Sequence, residues 1–440
     1  MKTTLIGDMA RTYALPGLKR AAGLAVRLVP VPQPTLLVGA GSSRRLGEAI
    51  GAFAHDRILL VTDAVVLKLG LAKGLLDALK ASRTEVVVYA EVTPDAPIEL
   101  VEKGIGIYQR EGCDAIVAIG GGSVMDAAKV IGQAVANDRH PRQLVGYFRG
   151  WSGPPPIYAV PTTAGTGSEV TVAAVISDPA NHQKMVIADS RLVPRMAALD
   201  PELMTGLPPP ITAATGMDAL THAVEAYIGN WGTEYTDSLA LAAVGMIYRN
   251  LPTAYADGGN LAAREKMALA SAYAGMAFTR ANVGNVHAIA HQLGGRYHTP
   301  HGLANAIMLP PVLRFSSSAI EAKLAVLAER AGLARKGDTQ ERLAQKFLDS
   351  VEAMNRKLGI PKELDALREE DIPELASAAC WEADTNYPVP RAMSPGDCEA
   401  LLREVLPSGK PAASKARKAG KVPPPEIKPK NRARKARAST

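Results

Sequence analysis

Between residues 34 and 163 the chain alternates short runs of β-branched and aliphatic residues with segments of helix length. The runs are PTLLVG (34–39), RILLVTD (57–63), TEVVVY (84–89), DAIVAIG (114–120) and PIYAVPTT (156–163). Helices are expected from Ser42 to about Ala54 and over 72–82, 97–111 and 123–136. Strands separated by helices argue for a parallel α/β sheet. The runs are apolar without alternation, as suits strands covered on both faces.

The pattern changes after GLPPP (206–210). From Ile211 to about Val405 the chain carries Ala-, Leu- and Met-rich stretches at helical spacing, with few β-branched runs. The proline cluster therefore reads as a boundary between an α/β domain (34–207) and an all-helical domain (211–407). A core is affordable in both, since 47% of the 440 residues are hydrophobic. The net charge of +7 belongs to the last 33 residues, which hold eleven Lys/Arg and one acid, Glu426; the other 407 residues carry a net −3. That segment, 408–440, has no hydrophobic face and is expected to be disordered. Residues 1–33 read as an extension, and 16–31 are too interrupted for a secretory signal. No apolar run of about 18 residues is present, which argues against a membrane-spanning helix. The three cysteines, Cys113, Cys380 and Cys398, are odd in number and far apart, and fit a reducing cytoplasm.

Two glycine-rich stretches follow predicted strands. AIGGGSVMDAAK (118–129) runs from a strand through three glycines into a helix start, where free N–H groups and the helix dipole can hold a pyrophosphate. An ordinary tight βα turn would look the same, and the spacing is not that of the usual dinucleotide fingerprint. PTTAGTGSEVT (161–171) offers small hydroxyls on a flexible turn, as would a polar loop without a ligand. Two such loops at successive strand ends fit the place where open α/β sheets bind ligands. Asp63 ends a strand, where an acid can bind a ribose diol and disfavour a 2′-phosphate, or simply cap a helix.

In the helical part, Asp218 and His222 stand at i and i+4, so one helix face presents both. They are either a shared metal-ligand pair or a surface Asp–His pair. The stretch NVHAIAHQLGGRYHTPH (285–301) concentrates four of the eight histidines: His287, His291, His298 and His301. His287 and His291 share the i, i+4 spacing, and Pro300 is expected to break the helix before His301. Three histidines with Asp218 would give a nitrogen-rich site suited to Fe²⁺ or Zn²⁺. Spacing alone leaves open which histidines bind.

From about Pro34 to Val405 the chain resembles the iron-containing (group III) alcohol dehydrogenases, the class that includes propanediol oxidoreductase. The resemblance is carried by GGGSVMDAAK, PTTAGTGSEVT, TGMDALTHAVEAY and HAIAHQLGGRYHTPHGLANAIMLP, in that order. It implies a Rossmann-like α/β domain followed by a helical metal domain, the two-domain plan of dehydroquinate synthase. Carried over by position, the metal ligands would be Asp218, His222, His287 and His301. His291 would lie near the nicotinamide and relay protons, and His298 would be a bystander. Asp63 would bind the ribose, and Gly121, Gly122 and Ser123 the pyrophosphate. Thr162, Thr163, Thr166, Thr171 and Lys184 would make further NAD contacts.

The implied activity is an NAD-linked alcohol–aldehyde or alcohol–ketone oxidoreductase using Fe²⁺, with Zn²⁺ as the alternative. A homo-oligomer, such as a dimer, is expected. Rival readings on the same plan are a dehydroquinate synthase-like enzyme and an oxoacid transhydrogenase. The tail could bind nucleic acid or an anionic surface nonspecifically through its charge.

Overall fold

The computed structural model describes residues 29–180 and 183–408. Residues 1–28 of the N-terminal extension and nearly all of the basic tail lie outside them. The first half contains β1 (Thr35–Val38), α1 (Ser42–Gly51), β2 (Arg57–Val61), α2 (Ala64–Lys68), α3 (Lys73–Ala81), β3 (Glu85–Tyr89), α4 (Ile98–Glu111), β4 (Ala115–Gly120) and α5 (Gly122–Asn137). Then come β5 (Gly146–Tyr147), β6 (Ile157–Pro161), β7 (Ala173–Asp178), β8 (Gln183–Ala188) and β9 (Met196–Leu199). Six strands form one parallel sheet in the order β1-β9-β6-β4-β2-β3. From β2 the chain steps outward to β3, then returns to the other side of β2 with β4. The switch in direction opens a crevice at the carboxyl ends of β2 and β4, the standard ligand position in such sheets.

The buried strands explain their composition. β4 and β6 are covered on both faces and consist wholly of buried residues. A second small sheet, β5-β8-β7, contains an antiparallel β7–β8 pair. Neither this pair nor β9 is visible in the alternation pattern. β9 reads MAAL, a helix-like composition, yet all four residues are buried as it inserts between β1 and β6. Tertiary context overrides local propensity there.

The second half is helical: α6 (Pro209–Ile228), α7 (Glu234–Ala256), α8 (Leu261–Ala281), α9 (Asn285–Tyr297), α10 (His301–Arg330), α11 (Gln340–Lys357), α12 (Ile372–Asn386) and α13 (Pro395–Glu404). Pro209 and Pro210 open α6, where a missing N–H costs nothing. α6 is buried without interruption from Gly216 to Ile228. Pro300 separates α9 from α10 as expected, serving as the N-cap of α10. No helix among the described residues is long and apolar enough to cross a membrane.

Candidate metal and cofactor site

Three helices bring together side chains that are 83 residues apart in the chain. Asp218 and His222 lie one turn apart on α6 and are 2% and 5% exposed. His287 sits in the first turn of α9 and His301 opens α10. One potential ligand atom from each of these four residues lies within 4.8 Å of the other three. Gly302 permits the approach: a Cβ there would lie 2.4 Å from the carbonyl oxygen of Ala214 on α6. A larger residue would push α10, and His301 with it, away from Asp218.

The rings are oriented by partners outside this group. Glu225, one turn after His222 on α6, accepts hydrogen bonds from the Gly284 N–H (2.9 Å), the Val286 N–H (2.7 Å) and His287 Nδ1 (2.6 Å). This carboxylate satisfies orphan donors at the start of α9 and fixes the His287 tautomer, leaving Nε2 as an acceptor. Gly284 makes room, since a Cβ there would come 2.8 Å from Glu225 Oε1. His222 lies between Phe278 (ring centroids 4.3 Å) and His287 (4.5 Å). Its buried Nδ1 has no hydrogen-bond partner among the described residues.

Burial, reinforced by the neighbouring imidazoles, holds His287 well below the usual histidine value. Burial does the same for His301, against the pull of Asp218. Burial alone would raise Asp218, but the surrounding imidazoles outweigh it and hold its carboxyl below the ordinary range. Neutral imidazoles and an ionised carboxylate are the forms in which these groups bind a metal. The donor set therefore fits a divalent ion such as Fe²⁺ or Zn²⁺.

His291 faces the same pocket, with its ring 5.4 Å from His301 and 5.9 Å from His287. It is held by a different carboxylate. His291 Nδ1 pairs with Glu382 Oε1 at 2.6 Å, and Glu382 also accepts from Gln292 Nε2 (2.7 Å) and the Tyr387 hydroxyl (2.5 Å). His298 ends α9 in the left-handed conformation, φ 54°, outside the group of four converging residues.

In the sheet half, Gly121 is the N-cap of α5, and Gly122 starts the helix. A Cβ on Gly122 would lie 2.6 Å from Thr166 Cγ2, so the two glycine-rich loops pack side by side. Thr162 N–H donates to the Gly120 carbonyl (2.9 Å), and a Cβ on Gly121 would meet Thr163. Ser123 Oγ accepts from the Asp95 N–H (3.1 Å), and Asp95 Oδ1 pairs with Lys184 Nζ (2.9 Å). A Cβ on Gly294 of α9 would be 3.6 Å from Lys184 Nζ, so this lysine reaches the helical half. Asp95 and Ala96 both have positive φ, 66° and 44°, a costly conformation for residues with side chains.

Two expected contacts have protein partners as well. Asp63 caps α2, its Oδ1 accepting from the N–H groups of Val65 (2.8 Å) and Val66 (2.9 Å). Thr171 is 3% exposed, and Lys129 Nζ lies 3.1 Å from its hydroxyl. Sequence reasoning did not single out Glu225, Glu382 or Asp95. The Glu225 signal was present as a carboxylate three residues after His222 in THAVE; Glu382 and Asp95 have no local spacing to their partners.

Residues 33–201 match the family described as iron-containing alcohol dehydrogenase, and residues 212–406 match the C-terminal part of the Fe-containing alcohol dehydrogenase family. The chain belongs to the iron-containing alcohol dehydrogenases. Among members of this family, it is 41% identical over 365 residues to the 1,3-propanediol dehydrogenase of Klebsiella pneumoniae, covering 82% of this chain and 94% of that one. It is 36% identical over 375 residues to the NAD-dependent methanol dehydrogenase of Bacillus methanolicus, covering 85% and 98%. The crystal structure of a 1,3-propanediol oxidoreductase superposes with a TM-score of 0.83 at 39% identity, covering 86% of this chain and all of that one. Both halves of this iron-containing alcohol dehydrogenase thus have their counterparts in one family, which does not favour the dehydroquinate synthase-like or transhydrogenase readings.

Proposed function

We propose that the chain is an NAD-linked, metal-dependent dehydrogenase that interconverts a small alcohol and its aldehyde or ketone. The observation that carries this is the convergence of Asp218, His222, His287 and His301 from three helices. These four would hold Fe²⁺, with Zn²⁺ as the alternative. When bound, such an ion supplies Lewis acidity at the substrate oxygen, which favours the alkoxide form of an alcohol and polarises a carbonyl.

The remaining work falls to the protein. Gly121, Gly122 and Ser123 at the start of α5 would receive the pyrophosphate. Thr162, Thr163 and Thr166 line the adjoining loop, and Lys184 would contribute positive charge from β8. Asp63 would bind the ribose through Oδ2 while Oδ1 caps α2. Thr171 would act from within this loop by anchoring Lys129. His291, aligned by Glu382, would carry the substrate proton between the pocket and solvent. The cofactor performs the hydride chemistry; these residues orient it.

Three buried free thiols, Cys113, Cys380 and Cys398, support a reducing cytoplasmic setting. The family resemblance supports a homo-oligomer. The test begins with a panel of primary alcohols, diols and aldehydes assayed with NAD(H) after reconstitution with Fe²⁺ or Zn²⁺. His287→Ala and His301→Ala should lose bound metal and at least about 10³-fold in kcat/KM. Full metal and activity in either variant would overturn the ligand assignment.

A further inference from the structure

The two inward histidines of α9 are held by carboxylates in unlike ways. Glu225, beside His287, is 2% exposed and takes two of its bonds from main chain. Glu382, beside His291, is 17% exposed, and its described partners are all side chains. His291 Nδ1 and the Tyr387 hydroxyl both meet Oε1, at 2.6 and 2.5 Å, and Gln292 Nε2 meets Oε2 at 2.7 Å. None of these bonds uses an atom of Asp218, His222, His287 or His301, so an ion held by those four leaves them intact.

A carboxylate held only by side chains keeps its place if they keep theirs. Tyr387 is buried, and the chain around it is tied to three helices. Its N–H donates to the Ala383 carbonyl of α12 (3.1 Å), and the Pro388 carbonyl accepts from the Asn230 N–H just past α6 (2.8 Å). The Asn386 carbonyl accepts from Asn282 Nδ2 just past α8 (3.1 Å). Burial holds the Tyr387 hydroxyl well above the ordinary phenol range, so it is a donor. Burial alone would raise Glu382 too, but His291, Tyr387 and Gln292 outweigh it and hold the carboxyl below its ordinary range. An ionised carboxylate beside Nδ1 requires a proton on that nitrogen, which leaves the lone pair on Nε2.

We propose that Glu382 and Tyr387 are positioning residues for His291: the Tyr387 hydroxyl pins the carboxylate oxygen that sets the orientation and tautomer of the imidazole. The inference rests on His291 being the proton carrier.

The test is a double-mutant cycle on the metal-loaded full chain, with kcat, KM for NAD and bound metal measured for every variant. Tyr387→Phe removes one hydroxyl and keeps the ring. It should lower kcat about 3- to 10-fold, the worth of one hydrogen bond, with bound metal and KM for NAD as in the wild type. Glu382→Gln can present an amide donor to Nδ1 and favour the other tautomer, and should lose about 10- to 100-fold in kcat. In a His291→Ala background neither substitution should lower kcat further, because the group they act through is gone. A merely structural role would lower kcat by the same factor in both backgrounds, and that result overturns the proposal. So does an unchanged kcat in Tyr387→Phe. If Tyr387→Phe fails to fold, Glu382→Gln in the two backgrounds decides: equal losses overturn the proposal. If His291→Ala alone keeps the wild-type kcat, the proton-carrier reading of His291 fails, and the proposal with it.

Discussion

The sheet half and the helical half each bury a glutamate beside the proposed active site, and burial pushes both carboxyls up to about 7. Their surroundings differ. Glu225 in the helical half accepts from two backbone N–H groups and an imidazole, and so ties α6 to the start of α9. Glu169 in the sheet half lies near Lys129, which burial lowers to about 8 although Asp126 and Glu169 oppose the shift. One carboxylate is built into the geometry of a candidate ligand; the other is part of a buried charge cluster that supports a loop. The comparison teaches that equal burial does not confer equal function. What each carboxylate is bonded to decides its use.

The largest expected effect beyond the ligands themselves is at His291. His291→Ala should retain its metal and lose about 10²-fold or more in kcat, with an altered pH profile. Metal loss in that variant, measured by elemental analysis, would place His291 among the ligands. Next is Glu225→Gln. It keeps an acceptor for one donor but disturbs the other bonds, and metal affinity should fall about 10- to 100-fold. Unchanged affinity by dialysis would reduce Glu225 to a helix cap and remove the contrast with Glu169.

For Glu169 the expected readout is stability against pH. A carboxyl raised from its ordinary 4.5 to about 7 contributes its stability below 4.5 and loses it as pH rises through 7. Glu169→Gln should therefore gain on the wild type by roughly 2–3 kcal/mol at pH 8 and much less at pH 4.5, on the scale of 1.36 kcal/mol per pH unit. Equal shifts at the two pH values in denaturant titrations would show that Glu169 is not raised. The smallest effect belongs to Asp63→Gly. Loss of a side-chain cap in favour of glycine costs only a few tenths of a kcal/mol, while the preference for NAD over NADP should relax. A wild type that uses NADP equally well would leave Asp63 as a cap alone.

The two halves also differed in how much their sequences disclosed. The proposed cofactor loops are contiguous motifs at strand ends, so GGGS and TTAGTG could be read directly from the sequence. The strands that were missed are β5, of two residues, β7 and β8, whose apolar runs are broken by polar residues, and the alanine-rich β9. Their pairing partners, not their own residues, make them strands. In the helical half, periodicity located Asp218 with His222 and also His287 with His291. It could not divide the second pair. Both rings face one pocket, and the difference between them comes from Glu225 on α6 and Glu382 on α12, which are remote in sequence from α9. The family resemblance supplied the role of each histidine.

The loop PTTAGTG reaches both α6 and α8. A Cβ on Gly165 would lie 2.7 Å from Thr215 Cβ, and one on Gly167 would lie 2.8 Å from the Gly275 Cα. Main chain meets main chain at Gly167 and Gly275, with no side chain between them to act as a cushion. The seam consequently tolerates no added side chain without displacement of main chain. A side chain added at either glycine would force the loop and α8 apart.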